Sequence, residues 1–73
     1  MKEFDIKAFA EIIKSLRQEK GVVQNKLAED LKLSNASISY WETCKQIPSA
    51  EVIFKMAKYF EVSADYILGI TDY

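Results

Sequence analysis

Histidine is absent from this chain, and cysteine and proline occur once each. A lone Cys44 cannot close an internal disulfide, and without histidine there is no zinc site of the usual ligand types. The commonest general base is missing, and no two carboxylates pair on one helix face, so no base-and-nucleophile combination is available. The chain is therefore expected not to be an enzyme and to need no metal or cofactor. No apolar run approaches the roughly 20 residues that cross a bilayer. The start, "MKEFDIKAFA", mixes acids and bases where a signal peptide would set a basic stretch before an apolar one. A cytoplasmic protein with no membrane partner is expected. Arginine occurs once, at Arg17, and the net charge of -1 argues mildly against a polyanionic partner.

What the chain does have is apolar residues in quantity. At 73 residues it holds one domain, expected to run from 1 to 73, and 49% hydrophobic content is enough to give so small a domain a core. These residues recur at helical spacing throughout, and almost nothing alternates at the period of a strand. An all-α chain of five short helices follows. Asp5 is placed to cap a first helix from Ile6 to about Lys20, with Phe9, Ile12, Ile13 and Leu16 as its stripe and Gly21 as its stop. A second runs from Gln24 to about Leu31, turning Leu27 and Ala28 inward. After the turn "KLS", Ser34 can cap a third helix by accepting a backbone N–H near Ser37. Pro48 closes the next connector. Ser49 opens a fourth helix with Val52, Ile53, Met56, Ala57 and Phe60 inward, and "VSADYILG" repeats the device with Ser63 as cap, Asp65 in the first turn and Gly69 as stop.

Helices two and three are too short to stand alone, and a three-residue turn forces them to cross steeply, which is helix-turn-helix geometry. Ile38 and Trp41 would anchor the third helix in the core. That leaves Asn35, Ala36, Ser37, Ser39 and Tyr40 mostly outside, a polar and small-residue face.

In order and spacing, Arg17, the "QxxLA" of Gln24 to Ala28, the serine opening the third helix, the "ISxWE" of Ile38 to Glu42, Pro48 and the closing "FxVSxDYIL" resemble the phage repressor and Cro family of lambda-repressor-like DNA-binding domains. The resemblance covers about Ile12 to Gly69, with the helix-turn-helix at 24–43. It implies that Gln24 meets a DNA phosphate at a helix N-terminus. It places Asn35, Ala36, Ser37, Ser39 and Tyr40 at base edges of the major groove, and Thr43 and Lys45 at the adjacent backbone. Asparagine can pair bidentately with adenine, and alanine can touch a thymine methyl. It also implies that Arg17 and Glu42 form an internal ion pair that ties the first helix to the third. The partner implied is a double-stranded DNA operator bound by a homodimer, and the function a bacterial or phage transcriptional regulator of the repressor kind.

Three positions depart from the family pattern. Val23 stands where a capping threonine is usual, and Lys32 and Cys44 stand where glycine is usual, so a positive φ there would carry strain. From Gln24 to Pro48 three lysines face three acids, so the motif is neutral and a monomer should bind phosphates weakly. Two functions stay open on these residues: DNA readout, or a protein-interaction module that uses the same fold to bind a regulator or toxin. The polar start of the third helix favours the first and the neutral charge the second. At residue level, Asn35 and Ser37 serve equally as helix-start residues that satisfy free N–H groups, Tyr40 as cover for the core edge, and Cys44 as a tolerated small residue. Tyr59, Phe60, Tyr66 and Ile70, if exposed together, would form a dimer seam.

Overall fold

A computed structural model describes residues 3–70, so the two ends of the expected 1–73 domain lie outside the described residues. Five helices follow in order: α1 (Ile6–Lys20), α2 (Gln24–Leu31), α3 (Asn35–Glu42), α4 (Ala50–Phe60) and α5 (Ala64–Leu68). Local chemistry sets each boundary. The Asp5 carboxylate accepts from the N–H groups of Lys7 and Ala8 at 2.9 and 3.3 Å. Ser34, Ser49 and Ser63 each accept from the N–H three residues on, that of Ser37, Val52 and Tyr66 respectively. Gly21 and Gly69 end α1 and α5 in the left-handed conformation, where a residue without Cβ carries no steric cost.

Every helix contributes to one core. Phe9 and Ile13 from α1, Leu27 from α2, Ile38 from α3, Met56 from α4 and Ile67 from α5 are fully buried, each contributing on the order of 2 kcal/mol of hydrophobic stabilisation. Ala10 is buried where Ile12 was expected. Ile12, Ala57 and Phe60 instead lie half-buried at the edge, because α1 turns its Phe9–Ala10–Ile13 side to the centre. The expected seam is mostly packed away. Tyr59, Phe60 and Tyr66 are half-buried against the core, and only Ile70 stands open. Among the described residues, Ile47, Val23 and Phe54 are, with Ile70, the large apolar side chains more than half exposed.

Helix α4 holds the C-terminal end of α2. The Lys55 ammonium donates to the Leu31 carbonyl at 3.3 Å, a cation at the negative end of the helix dipole. The Tyr59 hydroxyl donates to Asp30 at 2.6 Å, and the Lys20 ammonium sits 4.8 Å from the Tyr59 ring centroid. The bond to Asp30 favours the neutral phenol and pushes Tyr59 up from 10.0 to about 12. A raised folded value means that this contribution is whole below the phenol's ordinary value and is lost as pH climbs through the folded one. Between pH 10 and 12 the melting temperature should thus fall more steeply for the natural chain than for Tyr59→Phe. Equal slopes in a thermal melt series would show that the bond contributes nothing.

Candidate nucleic-acid interface

The turn between α2 and α3 is closed by backbone bonds from Lys32 N–H to Glu29 at 3.1 Å and from Leu33 N–H to Ala28 at 2.8 Å. Lys32 takes φ 58° to make them, the left-handed conformation expected where glycine is usual. Cys44 does the same after α3 at φ 63°. Each costs about 1 kcal/mol. With Ile38 and Trp41 buried beneath it, α3 is anchored along its inner side and presents its outer side rigidly.

The candidate residues fall into two groups. Asn35, Ala36, Tyr40 and Lys45 are exposed, Tyr40 only to 39%, and among the described residues their side chains make no hydrogen bond or ion pair. Ser37, Ser39, Thr43 and Gln24 are committed or partly covered. The Ser37 hydroxyl lies 2.9 Å from that of Ser34, in the capping turn. Ser39 is half-buried. The Thr43 hydroxyl donates to the Ser39 carbonyl at 2.7 Å, so only its lone pairs are free. The Gln24 amide donates to Glu42 at 3.1 Å, which the sequence reading did not foresee.

Arg17 and Glu42 form the expected ion pair, and its geometry is bidentate: Nε to Oε2 at 2.7 Å and Nη2 to Oε1 at 3.1 Å. A third guanidinium N–H reaches the Val22 carbonyl at 3.0 Å. Hydrogen bonding to Glu42 holds the Arg17 guanidinium above its ordinary value, against the cost of desolvation. With side chains 13% and 4% exposed, the pair is structural rather than a surface contact.

Charge on this face differs from the charge of the motif. Glu42 is consumed by Arg17 and Asp30 by Lys26 at 3.1 Å, a bond that raises the Lys26 ammonium. That leaves Lys32 and Lys45 against Glu29 among the exposed groups outside ion pairs. At the head of α2, Val23 makes no side-chain cap, and the first intrahelical donor is the N–H of Leu27. The N–H groups of Gln24, Asn25 and Lys26 are open to an anion. Asn25, exposed beside them, escaped the sequence reading, although an uncapped helix start was the signal for it.

The helix-turn-helix family model matches residues 13–67. The chain belongs to the helix-turn-helix family. Among curated relatives it is 38% identical over 61 residues to the HTH-type transcriptional activator BcrR of Enterococcus faecalis, covering 84% of this chain and 30% of BcrR. It is 33% identical over 57 residues to the HTH-type transcriptional regulator ImmR of Bacillus subtilis (strain 168), covering 78% of this chain and 45% of ImmR. This helix-turn-helix domain therefore spans less than half the length of either. Among solved structures it resembles the P22 c2 repressor in complex with a synthetic operator, with TM-score 0.77 and 30% identity over 82% of this chain and 91% of that one. The shared fold is one of DNA-binding regulators and not of an enzyme family. Among the described residues no helix is long and apolar enough to cross a membrane.

Proposed function

We propose that this chain is the sequence-specific DNA-binding domain of a cytoplasmic transcriptional regulator of the repressor kind, reading the major groove with α3. The observation that carries this is the outer side of α3. Asn35, Ala36 and Tyr40 stand exposed on a helix whose start is capped by Ser34 and whose inner side is buried through Ile38 and Trp41. Base readout needs such a pre-positioned polar surface, whereas a protein-binding helix exposes apolar anchors. Asn35 reads adenine, Ala36 packs on a thymine methyl and Tyr40 acts one turn later. Backbone phosphate is met by the open N–H groups at the head of α2, with Gln24, and by Lys45; Thr43 offers only its lone pairs to a bridging water. The operator reported with the P22 c2 repressor supports duplex DNA as the partner.

With so few free lysines on this face, a single domain has little phosphate attraction, and tight binding calls for a homodimer on half-sites about 34 Å apart. We place its contact at the cleft between α4 and α5, where Phe54, 63% exposed, lies with Pro48, Ala57 and Leu68. Selection from a random duplex library at low salt tests the reading. A palindromic motif should be enriched. A folded protein that enriches nothing would sink the DNA reading in favour of a protein-interaction module.

A further inference from the structure

The Arg17–Glu42 pair is more than a brace between helices, because its carboxylate also holds the first side chain of α2. Glu42 Oε2 accepts from Arg17 Nε, and Oε1 accepts from both Arg17 Nη2 and Gln24 Nε2, the last two at 3.1 Å. An ionised carboxylate only accepts, so the end of the Gln24 amide that faces it must be the nitrogen. One Nε2–H is spent on Glu42, and the other remains for an acceptor outside. Gln24 is also the first of the three residues whose backbone N–H groups are open at the head of α2. If the amide were free to rotate, its carbonyl could turn toward an approaching phosphate and repel it.

We propose that Glu42 is a positioning residue for DNA-backbone binding: it fixes the Gln24 amide by its nitrogen, so that the second N–H of that nitrogen donates to a phosphate at the head of α2. Arg17 takes part by holding Glu42 in place through its two hydrogen bonds to the carboxylate. This rests on the reading of Gln24 as a phosphate contact. Two residues 18 apart in sequence, on different helices, thus work as one device, and a group buried for structural reasons reaches the nucleic acid through its neighbour.

The test is a cycle of Glu42→Gln, Gln24→Ala and the double variant, with affinity for a duplex recovered by selection measured well below every variant's melting temperature. Glu42→Gln should weaken binding about fivefold in the natural background and less than about twofold where Gln24 is already alanine, the non-additivity of two groups acting through one contact. An equal loss in both backgrounds overturns the proposal while leaving DNA binding intact. A natural chain that binds no duplex overturns the DNA reading, and this inference with it. Should Glu42→Gln fail to fold, nitrogen-15 spectra of the natural chain decide. The Gln24 side-chain amide protons should exchange slowly and one of them should shift on adding the duplex. Protons that exchange like those of a free glutamine and ignore the duplex overturn the proposal.

Discussion

Arg17→Ala is expected to lower the stability of the domain by about 3 kcal/mol, at the low end of what breaking a buried pair from one side costs. The low end applies because the guanidinium keeps 13% of its surface in water. Removing it leaves Glu42, with a side chain only 4% exposed, facing a void with no cation. It also takes away the donor to the Val22 carbonyl in the connector before α2. For a domain of this size the loss amounts to about 12–24 °C in melting temperature. The double change Arg17→Met with Glu42→Leu should recover most of it, since apolar residues of similar volume fill the space without a desolvated charge. Thermal melts of the three proteins decide the matter. Base preference should be unchanged in whatever fraction of Arg17→Ala remains folded. A large loss of preference with unchanged melting would make Arg17 a DNA contact and not scaffold.

The fold was largely legible because its punctuation is chemical and local. Asp5, Ser34, Ser49 and Ser63 are side chains that accept helix-start N–H groups, and Gly21 and Gly69 occupy left-handed positions; all six can be read without knowing what packs where. What packs where was harder. Ile12 and Ala10 both lie beside the α1 stripe, and only the approach of the other helices decides that the smaller one goes inward. Glu61, left-handed at φ 57° after α4, carries no sequence signal, since an acid in that position resembles any solvated residue. Lys32 and Cys44 were anticipated only through the family resemblance.

The site was half legible for a related reason. Exposure on the outer side of α3 follows from helical period and from the buried Ile38 and Trp41, so Asn35, Ala36 and Tyr40 could be named from the chain. How the polar groups use their hydrogen bonds is a tertiary matter. Ser37 turns back toward Ser34, Thr43 toward the Ser39 carbonyl, and Gln24 toward Glu42 across two helices. The motif's neutral charge count also misleads, because it weighs the buried Glu42 and the paired Asp30 equally with groups that reach solvent. Charge available to DNA is the charge left over after the fold has paired its own.

Asn35→Ala should abolish preference at one base position in each half-site while leaving the fold intact. Asn35 is the first residue of α3, exposed and outside the Ser34 cap, which serves the Ser37 N–H. Its removal therefore strips no bond that holds the helix start. A bidentate amide-to-adenine pair is worth about 1–3 kcal/mol of discrimination, so the preferred base should lose an advantage of about 5- to 150-fold over its competitors. Competition between the selected duplex and its single-base variants reads this directly. Lys45→Ala supplies the contrast, for an exposed lysine at the backbone contributes affinity without information. Its loss should weaken binding evenly across all those duplexes and reduce the salt slope by about one. If Asn35→Ala instead weakens binding evenly across those duplexes, with the salt slope unchanged because a neutral amide releases no counterion, Asn35 contacts phosphate. If it changes neither preference nor affinity, Asn35 merely begins the helix, and readout rests on Ala36 and Tyr40.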